Sequence, residues 1–201
     1  MAASHDPAVP AREVPQPRAA DRIRATARDL FYREGVRAVG VDTIAAQAGV
    51  TKPTLYRCFS SKDELAAAYI RDYDAEFWER FDAAGADCPD DPRRHILNYL
   101  SGLGERASRV DYRGCGMSNV AVEYPEPDHP ARLVTQASKE ILRERLTAMA
   151  AGIGARKPEL LGDGLLLLIE GTFVSGQIFH GPGPASSVAA VAEMMIDASL
   201  K

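Results

Sequence analysis

The chain of 201 residues has 46% apolar and 26% charged residues and a formal net charge of −4, which is typical of one large or two small globular domains. It contains no uninterrupted apolar segment of about 18 residues, so the sequence argues against a transmembrane helix. Its three cysteines form no paired framework. We therefore expect a cytoplasmic protein that does not bind a membrane.

Composition and charge are uneven along the chain. Residues 1–17 are rich in alanine and proline and lack a continuous apolar core, which predicts a disordered tail rather than a secretory signal. Residues 1–65 hold 10 Lys and Arg against 8 Asp and Glu, whereas the remainder holds 14 against 20. The first third is therefore the only part mildly suited to a polyanion.

Helical periodicity dominates the chain after residue 17, and strand signals are nearly absent. The first helix places apolar side chains on one face at Ile23, Ala27, Leu30 and Phe31. Two short helices and a long one follow, and Ser61 with Glu64 forms a capping box at the start of the long one. Further helices are expected near 91–108, 115–124, 129–151, 162–180 and 186–200. The sequence predicts an all-α fold of about nine helices.

The segment "VDTIAAQAGVTKPTLYRCF" predicts two short helices joined by a turn at Gly49. Val50 and Leu55 are expected to hold this turn against the core. The pattern is that of a helix-turn-helix, in which the second helix enters the major groove of DNA. A tight helical hairpin without any DNA role has the same spacing, so both interpretations stay open at this point.

Polar side chains off the apolar face favour the DNA interpretation. They are hydroxyls, a phenol and cations, which hydrogen-bond phosphate oxygens and base edges: Thr51, Lys52, Thr54, Tyr56 and Arg57. Lys52 and Lys62 each stand in the first turn of a helix, where the helix dipole disfavours a cation. A phosphate in front of each helix would remove that conflict. The alternative is that these lysines point into water.

Residues 20–66 resemble the DNA-binding domain of the TetR/AcrR family of transcriptional regulators. The resemblance rests on Ile44-Ala45, Ala48-Gly49-Val50, Leu55-Tyr56-x-x-Phe59 and Ser61-Lys62-x-x-Leu65, and it covers about a quarter of the chain. It implies a helix-turn-helix domain over 18–65 and a ligand-binding and dimerisation domain over 66–201. The implied function is a transcriptional regulator, a repressor released from a palindromic double-stranded DNA operator by a small-molecule inducer.

The resemblance also implies roles for single residues. The positions of Tyr56 and Lys62 contact phosphate, and that of Pro53 lies deepest in the groove. The remaining positions divide base and phosphate contacts among Thr43, Thr51, Lys52, Thr54 and Arg57. Two departures weaken this pattern: Gly40 stands where many relatives have a capping Ser or Thr, so that Asp42 is expected to cap instead, and Cys58 stands where His is frequent.

The resemblance further implies that the last two helices pair with their copies in a homodimer, and the alternative is that they form the chain's own core. Gly171, Ser175 and Gly176 would permit close helix approach, and the last helix carries Val188, Val191, Ala192, Met195 and Leu200 along one side. Candidate inducer-binding residues are Tyr99, Leu103, Cys115, Met117, Asn119, Glu123, Phe173, Gln177 and His180. For each of them a purely structural role is the alternative, and for Cys115 we favour a buried inert thiol over a redox sensor.

Motifs of enzymes are missing from the sequence. It has no Gly-rich phosphate loop, no G-x-S-x-G and no H-E-x-x-H, so we predict no enzymatic activity, no metal site and no cofactor. The competing hypothesis is a ligand-binding or protein-interaction module that has a helix-turn-helix shape but no affinity for DNA. The small positive charge of residues 1–65 and the presence of Gly40 are consistent with that alternative.

Overall fold

The computed structural model of the chain describes residues 18–179, 181 and 183–200. Within these residues the regular structure is entirely helical, which confirms the predicted all-α class. The α-helices are α1 Ala19–Glu34, α2 Val41–Gln47, α3 Lys52–Cys58, α4 Lys62–Ala83, α5 Pro92–Ala107, α6 Gly116–Glu123, α7 Pro130–Ile153, α8 Pro158–Ile178 and α9 Val188–Leu200. A short 3-10 helix, Pro184–Ser187, precedes α9. The predicted tail, residues 1–17, and His180 lie outside the described residues.

Helix α8 begins earlier than the sequence pattern suggested. Its start was expected at residue 162, but Pro158 occupies the first turn, where a proline costs no intrahelical hydrogen bond. The preceding helix ends at Gly154, which has a left-handed φ of 87°. The break between α7 and α8 is therefore only residues 154–157, because its proline starts a helix rather than ending one.

Helices α1, α2 and α3 form a compact head in which α1 packs against the other two. The predicted apolar face of α1 is buried, and Ile44 and Leu55 fill the space between the helices without any exposure to solvent. Gly49 has a φ of 63° in the turn between α2 and α3, a conformation that favours glycine. The head thus has the helix-turn-helix arrangement that its residue spacing predicts.

Helix α4 links the head to the body without a break. It starts beside α3 at Lys62 and continues for 22 residues, with its middle turns packed on α1 and on α7. Ion pairs join it to α1, between Arg24 and Asp72 and, at 2.6 Å, between Arg28 and Glu76. The proposed division at residue 65 therefore falls inside a helix that the two parts share, and it stays a prediction.

The body is built around α7 and α8, which make the most extensive helix contact of the described residues. Leu142 and Leu146 of α7 meet Leu165 and Ile169 of α8 in a fully buried layer. Helix α5 packs against α8 and α9, and α6 packs against α7 and α4. Since α4, α5 and α8 all border the same interior, the body holds the elements from which a ligand cavity can be made.

Candidate functional site

The exposed side of α3 is organised by hydrogen bonds among its own side chains. Thr51 caps the helix, and its hydroxyl accepts a hydrogen bond from the N–H of Thr54 at 3.3 Å. The two threonine hydroxyls lie 2.9 Å apart, and the Arg57 guanidinium donates to the Thr54 hydroxyl at 3.4 Å. Pro53 is exposed in the first turn. These hydrogen bonds therefore fix the orientation of a polar surface that offers donors and acceptors to base edges.

Lys52, the first residue of α3, pairs with a carboxylate of the preceding helix. Its ammonium lies 3.0 Å from Asp42, and this hydrogen bond raises the pKa of Lys52 above its ordinary value. Gly40 is the N-cap residue of α2 and has no side chain with which to cap. The expectation that Asp42 caps α2 in its place is wrong, because its carboxylate binds Lys52 instead.

Lys62, at the start of α4, is held against the head. Its ammonium donates to the carbonyl of Arg37 at 3.3 Å, and partial burial lowers the pKa of Lys62 below its ordinary value. Ser61 caps the helix by accepting from the N–H of Glu64 at 3.0 Å. The Glu64 carboxylate in turn accepts from the N–H of Ser60 at 2.6 Å, one residue earlier than in the predicted capping box.

The other two predicted DNA contacts are also at the surface. Thr43 is exposed on α2, and Tyr56 is 44% exposed on α3. None of the eight predicted residues is buried: Thr43, Thr51, Lys52, Pro53, Thr54, Tyr56, Arg57 and Lys62. Their contacts with DNA remain predictions, and their accessibility meets the first requirement for them.

A cleft of about 510 Å³ opens between the head and the body. Its walls come from α1, α4, α5 and α8 and from residues 109–112. Of the nine residues predicted to bind an inducer, three line it: Tyr99, Leu103 and Phe173. The size matches that of small-molecule sites in other proteins.

Two further candidates belong to the buried core. Cys115 and Met117 are fully buried, in agreement with the buried thiol that the sequence favoured for Cys115. The Cys115 sulfur lies 3.7 Å from the ammonium of Lys139, which also pairs with Glu170 at 2.6 Å. Neither residue lines the cleft, so their roles in ligand binding stay predictions.

The polar candidates have partners within the protein. Asn119 donates to the carbonyl of Arg113 at 2.7 Å, and Gln177 lies 3.5 Å from the Asn119 carbonyl oxygen. The Glu123 carboxylate accepts a hydrogen bond from the N–H of Arg37 at 2.7 Å. Glu123 therefore joins α6 to the head rather than lining the cleft, and the ligand roles of all three residues are still only predicted.

Several residues that line the cleft were not identified from the sequence. Arg106 follows Tyr99 by seven residues, two helical turns, and its guanidinium lies 5.9 Å from the Tyr99 ring centroid. Tyr69 and Tyr73, four residues apart on α4, line the same cleft. Helical spacing would have placed Arg106 on the face of Tyr99 once that face was taken to be a pocket wall.

Helices α8 and α9 expose an apolar outer face. On α8 the exposed side chains recur at intervals of seven or four residues, and α9 adds more: Leu160, Leu167, Val174, Ile178, Val191, Met194 and Leu200. Gly171 lies in this face with no atom near the position of a side chain, whereas Gly176 packs against Ala107 of α5. The predicted apolar side of α9 divides, because Val188 and Ala192 turn into the chain's own core.

Comparison with known proteins agrees with this geometry. Residues 23–69 match the profile of bacterial regulatory proteins of the TetR family. The fold matches the crystal structure of a TetR-family transcriptional regulator from Streptomyces coelicolor with a TM-score of 0.82, at 28% identity over 91% of this chain and 96% of that one. Over residues 23–69 the sequence therefore matches the TetR family, and over 91% of its length the chain has the fold of a regulator of the TetR family. The family members among these matches are transcriptional regulators and not enzymes.

Curated relatives match the chain over shorter segments. It is 42% identical over 52 residues to an uncharacterised HTH-type transcriptional regulator of Mycobacterium tuberculosis, which is 26% of each chain. It is 44% identical over 50 residues to the HTH-type transcriptional activator FasR of Mycolicibacterium smegmatis, 25% of this chain and 23% of that one. The match thus spans about a quarter of the length of these relatives.

Two other classes of site are absent from the described residues. Among the described helices, none combines the length and apolarity needed to span a membrane. Across the same residues, no group of three or more His, Cys, Asp or Glu side chains is arranged to hold a metal ion. The candidate functional surfaces are therefore the exposed side of α3, the cleft, and the outer face of α8 and α9.

Proposed function

We propose that this chain is a sequence-specific DNA-binding transcriptional regulator. It acts in the cytoplasm as a homodimeric repressor on a palindromic operator, and a small molecule in the cleft releases it. The observation that carries this proposal is the exposed side of α3. There Thr51, Thr54 and Arg57 form a hydrogen-bonded set on a short helix whose opposite side is anchored by the fully buried Leu55.

Recognition of base edges is assigned to α3. A recognition helix reads DNA through side chains near its N-terminus, which enter the major groove. In α3 these are the exposed Pro53 and the paired hydroxyls of Thr51 and Thr54. Arg57, one turn later, carries the guanidinium that suits the two acceptors of a guanine.

Phosphate binding is assigned to the groups around α3. Tyr56 lies on α3 itself, Lys62 starts α4, and Thr43 stands in the first turn of α2. Lys52 would exchange Asp42 for a phosphate when DNA binds, since both are anions that satisfy its ammonium. Such contacts release counterions from DNA and make the affinity fall as salt is added.

The homodimer is assigned to the outer face of α8 and α9. Soluble monomers rarely expose a large continuous apolar surface, and this one lies on two adjacent helices. Gly171 leaves room for the backbone of a second copy to approach. A two-fold dimer places its two heads on two half-sites, which is why an inverted-repeat operator is proposed.

Release by ligand is assigned to the cleft because both parts of the chain line it. Arg28 and Tyr32 come from α1 of the head, and Tyr99 and Phe173 come from the body. A ligand there would contact both and would bind more tightly to one arrangement of head and body than to the other. Only that difference in affinity can shift the protein away from its DNA-bound state.

Selection of bound duplexes from a random DNA library, at moderate salt and without ligand, tests the proposal. We expect an inverted repeat whose affinity falls as salt is raised. If folded, dimeric protein selects no sequence, the proposal fails and the chain is a ligand-binding or protein-interaction module. A reporter gene placed behind the selected operator then distinguishes repression from activation.

A further inference from the structure

The walls of the cleft are unusually rich in aromatic rings. The aromatic lining residues are Tyr32, Tyr69, Tyr73, Tyr99, Tyr112, Phe77 and Phe173. Several of these rings contact one another, such as Tyr69 with Tyr73 at 6.2 Å and Phe77 with Tyr99 at 6.0 Å between ring centroids. Walls built from such rings favour a flat, aromatic ligand, which can stack or pack edge-on against them.

Three of the tyrosine hydroxyls lack a protein partner. Tyr32 and Tyr73 direct their hydroxyls at the carbonyl of Gly114, at 3.3 and 3.4 Å. The hydroxyls of Tyr69, Tyr99 and Tyr112, by contrast, make no hydrogen bond to any residue that the structure describes.

Two of these three residues are almost fully buried. Tyr69 and Tyr99 are each only 3% exposed, and burial raises the pKa of both phenols. They therefore stay protonated at neutral pH and act as hydrogen-bond donors. Both residues line the cleft and neither hydroxyl has a protein acceptor, so a polar ligand atom in the cleft can accept a hydrogen bond from them.

The arginines that line the cleft outnumber the carboxylates that line it. Arg28 and Arg80 share one carboxylate, that of Glu76, at 2.6 and 3.5 Å. Arg106 and Arg109 have no carboxylate within 4.0 Å among the described residues.

Of the two remaining carboxylates in the lining, one is already neutralised. Asp29 is paired with Arg33, which lies outside the cleft, and Asp111 is the other. Two guanidiniums thus face one unpaired carboxylate, so an anionic ligand fits the cleft better than a cation.

We propose that the cleft binds a small aromatic carboxylate. Its carboxylate would be held by the guanidiniums of Arg106 and Arg109 and by the Tyr99 hydroxyl, and its ring would lie among the tyrosine and phenylalanine side chains. The assignment of such a ligand as the natural effector of this chain rests on the proposed function. Its binding to the cleft can be measured without DNA.

Isothermal titration of the full chain with three matched naphthalenes tests the charge preference: 2-naphthoate, 2-naphthamide and 2-naphthylmethylammonium. We expect the carboxylate to bind about tenfold or more tightly than the neutral amide, since hydrogen bonds to charged groups are the strong ones. The ammonium should bind weakest. Equal affinities, or tightest binding of the ammonium, would overturn the proposal.

Two variants test whether the ligand binds in the cleft. Arg106→Gln removes the charge, and Tyr99→Phe removes only a hydroxyl that no described residue binds, so the second variant should keep its fold. Each variant is expected to weaken the binding of 2-naphthoate by about fivefold or more and to leave the affinity for 2-naphthamide nearly unchanged. The matched control is Arg71→Gln, an exposed arginine of α4 that does not line the cleft. If Arg71→Gln loses as much affinity for 2-naphthoate, the assignment of the binding site to the cleft is wrong.

The same samples separate this inference from the proposed function. Protein that selects an operator but does not prefer the carboxylate leaves the DNA-binding regulator in place and removes the ligand class. Protein that prefers the carboxylate but selects no DNA does the reverse. When both hold, 2-naphthoate should weaken operator binding by wild-type protein and fail to do so, at the same concentration, with Arg106→Gln.

Discussion

Lys62 combines two properties that bear on DNA binding. Its ammonium is fixed at the carbonyl of Arg37, so little side-chain entropy remains to be lost when a phosphate approaches. It is also partly buried, and burial lowers the pKa because the charged form is less well solvated. One side chain is thus held ready for a phosphate, and its charge is also less stable than that of an ordinary lysine.

Replacing Lys62 with alanine should weaken binding to every duplex and reduce the salt dependence of the affinity. One lost phosphate contact lowers the slope of log K against log salt by about 1. The slope is measured by fluorescence anisotropy at several salt concentrations. Arg94→Ala, which removes an exposed cation of the body, is the control and should leave the slope unchanged. A wild-type slope for the Lys62 variant would exclude this phosphate contact.

The lowered pKa of Lys62 also predicts a pH dependence. The charge is fully present well below the pKa and is lost as the pH rises through it, earlier than for a lysine at its ordinary value of 10.5. As the pH is raised toward 10.5, the affinity of wild-type protein for DNA should therefore fall more than that of Lys62→Arg, since arginine keeps its charge throughout. Parallel pH profiles for the two proteins would show that Lys62 is not the titrating group.

Helices α2 and α3 are linked at their starts by the pair between Asp42 and Lys52. Both side chains are exposed, and exposed pairs contribute little to stability. The consequence lies in charge, because Asp42 puts a carboxylate beside the helix that is to approach DNA. The pair keeps α3 electrically balanced in the absence of DNA and opposes the first phosphate that arrives.

Asp42→Asn should therefore tighten DNA binding by about two- to fivefold at moderate salt, on specific and random duplexes alike. The free energy of unfolding should change by less than about 0.5 kcal/mol. Asp87→Asn makes the same charge change in an exposed pair with Arg94 of the body and should not alter affinity. Equal affinity of Asp42→Asn and wild-type protein for DNA would place Asp42 away from the phosphates.

The features of α1 to α4 that the sequence could predict are those set by residues close to one another in the chain. The buried face of α1, the turn at Gly49 and the cap at Ser61 follow from spacing within a few residues, and all were predicted. The partner of Asp42 was not, because Lys52 lies ten residues away and reaches it only after the turn has folded.

The cleft was only partly foreseen for a similar reason. Tyr99 and Phe173 were predicted, whereas Arg28 and Tyr32 were not, because α1 was assigned to the head alone. Their place in the cleft wall depends on how the head packs against the body. Helical periodicity carries no information about that packing, and the ion pairs of α1 with α4 join residues 48 positions apart.

For the molecule as a whole, the outer face of α8 and α9 is the feature that sets the proposed assembly. The last helix gives its inner side to the core through Ala192 and Ile196 and its outer side to solvent through Met194. A single chain therefore leaves half of these two helices uncovered. A second copy of the chain, related by a two-fold axis, would cover the face on both chains at once.

Leu167, which is 72% exposed on α8, offers a direct test of the dimer. Leu167→Asp would place two carboxylates in an apolar contact, and we expect the dimer dissociation constant to rise by about 100-fold or more. Sedimentation equilibrium measures this, and the far-UV circular dichroism should not change. The control is Val122→Asp, which changes an even more exposed apolar residue, on α6. A dimer that survives Leu167→Asp would use another surface.

The position of Trp78 has a consequence for spectroscopy. It is the single tryptophan of the sequence, and its ring meets that of Phe77, a wall of the cleft, at 5.1 Å between centroids. The guanidinium of Arg145 lies 4.8 Å from the centroid of the Trp78 ring. Indole emission responds to small changes in nearby charge, so filling the cleft should change the fluorescence of a single identified residue. The protein thus carries its own optical reporter, with which extracts can be screened for the natural effector without a label.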